Sequence, residues 1–71
     1  MITPRAGMRF KHAHWIEPDS REPMIFKVTR IARGVVYYRP VHRNATGVEQ
    51  LGSPFKADLA EFPRYVMAPV A

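Results

Sequence analysis

The chain has 71 residues, no cysteine, and eleven Lys and Arg against six Asp and Glu, which leaves a formal net charge of +5. This length allows a single domain over residues 1–71, with an ordered core expected at about 7–67. The absence of cysteine excludes disulfides and thiolate metal sites as sources of stability. No run of about 20 apolar residues and no signal-peptide core is present, so we expect a cytoplasmic protein without a membrane segment. We therefore expect a closed β-barrel, with self-association as a further means of stabilisation.

The first predicted strand runs from Gly7 to His12. It alternates, with Met8 and Phe10 on one face and Arg9 and Lys11 on the other, as expected of a strand half covered by a core. A loop of ten residues, 13–22, is predicted next because a proline and an Asp-Ser pair interrupt the pattern.

The clearest pattern in the chain is a β-hairpin. Two β-favouring segments, Met24 to Ile31 and Val35 to Val41, are separated by Ala32-Arg33-Gly34, which ends in a residue that tolerates positive φ. A bulge near Thr29 and Arg30 is predicted because it returns Ile31 to the core face. In the second strand, Val36 and Tyr38 are expected to face inward, with Tyr37 and Arg39 facing outward beside Lys27.

The last third of the chain predicts shorter elements. They are a strand at Val48 to Leu51, a bend at 52–54, one helical or 3₁₀ turn at Asp58 to Phe62 with Leu59 and Phe62 inward, a strand at Arg64 to Met67 and a tail at 69–71. Five short strands with one helical turn before the last strand form the element order of a small SH3-like barrel, which is the predicted fold class.

Four motifs add a resemblance to this prediction. Over Gly7 to Val66 the chain resembles short uncharacterised proteins of actinobacteria and their phages, through Gly7 to Phe10, Val36 to Arg39, Asn44 to Gly47 and Arg64 to Val66. The resemblance implies an SH3-like barrel and, for a phage-encoded chain, the host cytoplasm. It implies no activity.

Basic residues interleaved with aromatic residues indicate a nucleic-acid surface, since Lys and Arg neutralise phosphates and aromatic rings stack on nucleobases. The expected phosphate contacts are Arg9, Lys11, Lys27, Arg33, Arg39 and Arg43, and the expected stacking residues are Tyr37 and Trp15. Binding is expected to favour DNA and to have low sequence specificity. Two alternatives stay open: the charge reflects an Arg-rich composition, or Trp15 folds back with Ile16 to cap the barrel.

A catalytic or metal site is the least favoured interpretation. The sequence has no cysteine, no phosphate-binding glycine loop and no nucleophile elbow, so no catalytic residue, cofactor or metal is predicted. His12, His14 and His42 could together ligate a metal, but the first two are interpreted as surface residues. The acids Glu17, Asp19 and Glu22 are interpreted as pairing with Arg21 or facing water.

The competing functional class is a protein-interaction module. An aromatic groove beside the long loop, formed by Trp15, Tyr37, Tyr38 and Pro40, would suit an extended peptide. The partner would then be a host protein, a virion protein or a second copy of the chain.

Overall fold

The computed structural model describes residues 3–18 and 20–70. Over these residues the chain is all-β, as predicted, but it has six strands rather than five. The elements are β1 (Arg9–Ile16), β2 (Pro23–Ala32), β3 (Val35–Arg43), β4 (Glu49–Leu51), β5 (Phe55–Asp58), a 3₁₀ turn (Phe62–Tyr65) and β6 (Val66–Val70). Among the described residues, none lies in a helix long and apolar enough to cross a membrane.

The predicted hairpin is confirmed as β2 and β3. Ala32 pairs with Val35, so the turn consists of Arg33 and Gly34 alone, one residue fewer than the predicted connection. Both turn residues have positive φ, 52° at Arg33 and 74° at Gly34. This is the type I′ geometry whose twist matches that of the two strands.

The predicted bulge is also confirmed, and it sets which side chains of β2 face outward. Val28 pairs with Tyr38 and Arg30 pairs with Tyr37, so Thr29 is the additional residue. The inserted residue keeps Ile31 opposite Val36, where it packs against the buried core. It also places Arg30 on the outer face.

The predicted ten-residue loop is wrong, because β1 extends to Ile16 and pairs there with Pro23 of β2. The connection is residues 17–22, closed by backbone hydrogen bonds from the Glu17 N–H to the Glu22 carbonyl (2.8 Å) and from the Arg21 N–H to the Glu17 carbonyl (2.9 Å). The turn predicted at Asp19 and Ser20 falls partly on Asp19, which lies outside the described residues. Trp15 and Ile16 favour extended structure, which is why the strand continues past His12.

Strands β4 and β5 lie one after the other along the same side of β3. Val41 pairs with Leu51 in β4, and Tyr38 pairs with Phe55 in β5, so the register shifts by one residue between them. Gly52 occupies the shift, and its N–H donates to the Pro40 carbonyl at 2.9 Å. A Cβ at this position would lie 2.7 Å from Cγ of Pro40, so only glycine fits without a movement of its neighbours.

The C-terminal part differs from prediction in position. The 3₁₀ turn begins at Phe62, which is fully buried, whereas Leu59 is 41% exposed and does not face inward as predicted. Strand β6 pairs with β1 as far as Val70 opposite Arg9. The predicted tail is therefore wrong for Pro69 and Val70, while Ala71 lies outside the described residues.

The hydrophobic core lies on one face of the sheet. Its buried members are Phe10, Phe26, Val28, Val36, Tyr38 and Phe62. The ring of Phe10 contacts Tyr38 and Phe62 edge-to-face, with centroids 5.6 and 5.1 Å apart. Such pairs add specific geometry to the burial of apolar area.

The sheet is open rather than closed. Its strand order is β4-β3-β2-β1-β6, with β5 also on β3, and no ladder among the described residues joins β6 to β4 or β5. A side-chain contact nonetheless connects the two sides, because Nη2 of Arg9 on β1 donates to Oε2 of Glu49 on β4 at 2.6 Å. The sheet is thus curled enough for non-adjacent strands to meet through their side chains.

Candidate nucleic-acid interface

The outer face of the sheet carries a row of three basic residues in register. Arg9 of β1 pairs with Lys27 of β2, and Lys27 pairs with Arg39 of β3. Since neighbouring strands lie about 4.8 Å apart, the row extends about 10 Å across the sheet. We call these three residues the basic row. The structure thus brings together three of the six bases predicted to contact phosphate.

Two members of the basic row are held by contacts with β4 and with Gly52, which follows it. Arg9 is held by Glu49, with both side chains about one-third exposed. Arg39 donates from Nε to the Gly52 carbonyl at 2.5 Å. These contacts fix the positions of the two guanidinium groups and leave part of each exposed to a ligand.

Tyr37 lies on the same face as the basic row, two residues before Arg39. It pairs with Arg30 on β2 and with Lys56 on β5, so a basic side chain lies on either side of its ring. The Arg30 guanidinium carbon lies 4.8 Å from the ring centroid, which is a cation–π contact. The Tyr37 side chain is only partly buried. It therefore offers an aromatic surface next to three positive charges.

Two surface hollows flank Tyr37. The first, which we call the hairpin hollow, has a volume of about 530 Å³ and is lined by Arg30, Ile31, Ala32, Arg33, Val35 and Tyr37. The second is about 310 Å³ and includes the acids Asp58 and Glu61 beside Lys56. The hairpin hollow has basic and apolar walls, whereas the second hollow has mixed charge.

The other predicted phosphate contacts lie around this surface. Lys11 is exposed on β1, Arg33 is exposed at the hairpin turn, and Arg43 is exposed at the end of β3 opposite Glu49. Arg9 and Arg43 both line a cleft of about 500 Å³ over Ile25 and Val41. The cleft connects the basic row with the end of β3.

Trp15 does not lie beside Tyr37, the other residue that is predicted to stack on nucleobases. Its ring is 5.7 Å from that of Phe55 and 6.3 Å from that of His12, which places it at the end of the aromatic core. It is 46% exposed there. Of the predicted capping pair, Trp15 thus lies at the edge of the core, whereas Ile16 is 60% exposed and does not fold back over it.

Lys56 is a candidate contact that the sequence analysis missed. It lies in β5, which was not predicted because residues 52–54 were interpreted as a bend that ends the preceding strand. The usable signal was the alternation Phe55-Lys56-Ala57-Asp58, a short strand pattern. Lys56 sits opposite Tyr37 and extends the charged surface across a fourth strand.

His12 belongs to the core, so its interpretation as a surface residue is wrong. It is 2% exposed and packs against the rings of Phe26 and Tyr65, with centroids 5.0 and 5.6 Å away. Burial, assisted by the nearby His14, lowers the pKa of His12 from 6.5 to about 4. The imidazole is therefore neutral at pH 7.

The hydrogen bonding of His12 defines its tautomer. Its Nδ1 accepts from the backbone N–H of His14 at 3.0 Å, so the proton resides on Nε2, which has no partner among the described residues. Burial, together with Tyr65, raises the pKa of the nearby Tyr38 hydroxyl. No group of three His, Asp or Glu side chains within residues 3–18 and 20–70 is arranged to hold a metal ion.

Glu17 and Glu22 in the β1–β2 connection are exposed. The Ser20 hydroxyl donates to Oε2 of Glu17 at 3.3 Å, and the Glu22 N–H donates to the same hydroxyl at 3.3 Å. Asp19, the third acid of this predicted cluster, lies outside the described residues. These contacts organise the turn, and Glu17 also lines the cleft that Arg9 and Arg43 share.

Comparison of the chain with protein-family models, with curated proteins and with solved structures gave no match. The functional argument therefore depends on the geometry of the outer face. The resemblance to actinobacterial and phage proteins stays a prediction.

Proposed function

We propose that the chain is a non-enzymatic accessory protein that binds nucleic acid, with DNA favoured, through phosphate contacts of the basic row and base stacking on Tyr37. The observation that carries the proposal is the placement of Arg9, Lys27 and Arg39 side by side on three adjacent strands. Three positive charges in a line suit a polyanion better than a single small anion.

The cost of this arrangement supports a binding role. Like charges directly opposite each other on neighbouring strands repel and destabilise a sheet by up to about 1 kcal/mol for each pair. The chain holds two such pairs in a small domain, where stability is limited, and Glu49 offsets part of the charge of Arg9 in one of them. A bound phosphate backbone would neutralise the row and remove the repulsion.

Fluorescence anisotropy with labelled DNA over a range of salt concentrations tests the proposal. We expect the logarithm of the affinity to fall linearly with the logarithm of the salt concentration, with a slope that corresponds to about four or more neutralised phosphates. Lys27→Gln should weaken binding for all sequences and reduce the slope by about one. Lys27 is preferred to Arg39 for this test because Arg39 also anchors Gly52.

Arg64→Gln is the matched control, since it removes the same charge from an exposed residue of the 3₁₀ turn that covers the core face. It should leave the slope close to that of the wild type. Equal losses in the two variants would show that only net charge matters, and absence of binding at low salt would overturn the proposal.

We also propose that the open sheet is a member of the SH3-like small-barrel class. In its support, β1 to β4 are antiparallel neighbours in chain order, and a 3₁₀ turn precedes the last strand. Amide hydrogen exchange tests this assignment. If β6 pairs with another strand on the edge away from β1, the N–H groups along that edge should exchange slowly. In an open sheet these N–H groups should exchange fast.

A protein-interaction module is the second candidate, and a separate surface favours it. Trp15 and Phe55 are in contact and both are partly exposed, and the adjacent Ile16 is 60% exposed. Exposed apolar groups of this kind mark interaction surfaces. Light scattering tests for a dimer, which Trp15→Ser should disrupt at any salt concentration. A monomer that binds no host or virion protein would exclude this function.

A further inference from the structure

We infer that the hairpin hollow seats one unpaired nucleobase, which makes single-stranded nucleic acid the preferred ligand. The inference rests on the proposed function and adds the form of the substrate. It comes from the shape and chemistry of the hollow beside Tyr37, which the contacts of the basic row do not use.

The lining of the hairpin hollow suits a flat, partly apolar ring attached to a phosphate. Val35 and Tyr37, on the outer face of β3, form an apolar and an aromatic wall, and Arg30 and Arg33 provide two guanidinium groups. Its volume of about 530 Å³ lies in the range of pockets that take small organic ligands. No acid lines it, in contrast to the hollow beyond Tyr37, where Asp58 and Glu61 would repel a phosphate.

Arg30 is already positioned to help hold a base. Its guanidinium group lies over the Tyr37 ring at 4.8 Å from the centroid, and the bulge at Thr29 fixes that position. A planar guanidinium group and an aromatic ring both stack on nucleobases. The faces of bases inside a duplex are covered by their neighbours, so only an unpaired base can use this surface.

The turn gives independent support. Arg33 adopts φ of 52°, a left-handed conformation that costs a residue with a Cβ about 1–2 kcal/mol. Asn, Asp and Gly are the usual residues in this position of a type I′ turn. Arg33 occupies it here at some cost in stability. It brings a third basic side chain close to Tyr37, after Arg30 and Lys56, at the rim of the hairpin hollow.

The hollow and the basic row form one continuous path. Tyr37 and Arg39 are two residues apart on the same face of β3, which separates them by about 7 Å. A strand that places one base in the hollow can therefore continue with its phosphates over Arg39 and Lys27. Both contacts use the outer face of the same two strands, β2 and β3.

The test compares three labelled ligands that carry the same number of phosphates: a thymidine single strand, a duplex, and a single strand with abasic sites in place of bases. At near-physiological salt we expect the thymidine strand to bind about tenfold more tightly than either other ligand, as one stacked base contributes about 1–3 kcal/mol. Tyr37→Leu should abolish this preference, so that the thymidine strand binds no more tightly than the abasic strand. Tyr37→Phe, which keeps the ring, should retain it.

The outcomes separate the inference from the proposed function. Equal affinity for all three ligands, unaffected by Tyr37→Leu, would overturn the inference and leave binding by the basic row intact. No binding to any ligand at low salt would overturn both. The abasic ligand tests base recognition with the wild-type protein, so the conclusion does not depend on the folding of a variant.

Discussion

The two faces of β3 present the same residue type for two different uses. Tyr38 is 5% exposed and its ring packs edge-to-face on Phe10 and Phe26. Tyr37, one residue earlier, lies on the opposite face, between Arg30 and Lys56, with the Arg30 guanidinium group over its ring. Strand alternation alone decides which tyrosine stabilises the fold and which is available to a ligand. Core-face and outer-face substitutions should therefore have separable effects on stability and binding.

The largest effect is expected on the core face. Phe62→Ala removes a fully buried ring that contacts Phe10 and should lower the free energy of unfolding by about 3–5 kcal/mol. Leu59→Ala, at the exposed residue of the same segment, should change it by less than about 0.5 kcal/mol. Urea denaturation measures both variants, and equal losses would show that the 3₁₀ turn does not cover the core.

An intermediate effect should follow from acid. The pKa of His12 is about 4 in the folded protein and about 6.5 in the unfolded chain, so the unfolded state takes up a proton first as the pH falls. Stability should be complete above pH 6.5 and decrease by up to about 3 kcal/mol towards pH 4.

His12→Phe is the informative variant, because it keeps an aromatic ring in the core and removes the titrating group. Its stability should depend much less on pH between 4 and 6.5 than that of the wild type. His42→Gln, at an exposed position, should retain the wild-type dependence. A pH profile unchanged by His12→Phe would place the acid sensitivity in the carboxylates.

The smallest effect is expected on the outer face. Glu49 holds Arg9, so Glu49→Gln should release that guanidinium group for phosphate and raise nucleic-acid affinity by about twofold to fivefold. Anisotropy at low salt measures the change. Glu22→Gln, which alters the same charge in the β1–β2 connection, serves as the control, and a decrease in affinity for Glu49→Gln would contradict this role.

Local patterns were sufficient to predict the hairpin, its bulge and the outward placement of Lys27, Tyr37 and Arg39. These features depend on alternation and on a two-residue turn, which neighbouring residues specify. Strand β5 depends instead on pairing with the first half of β3, about twenty residues earlier in the chain. That distant pairing overrides the breaking signals of Gly52 and Pro54, and so Lys56 was missed.

The position of His12 shows a different limit. Its spacing of two residues from Phe10 is that of a core-face residue, although a histidine more often lies at the surface. The surrounding rings of Phe26, Tyr38 and Tyr65 come from three other elements. Only their convergence makes it favourable to bury a neutral imidazole. For Trp15, too, the contact that defines its place is with the unpredicted strand at Phe55.

The register shift at Gly52 also affects the solubility of the protein. It divides the outer strand beside β3 into pieces of three and four residues, β4 and β5, and β5 carries Lys56. A strand of another molecule that began to pair along this edge would lose its register at the shift beside Gly52 and would meet the charge of Lys56. If the proposed function holds, the protein would reach a high local concentration along a polyanion, and we expect this interrupted edge to hinder pairing between neighbouring copies. The glycine responsible lies outside both the core and the basic row.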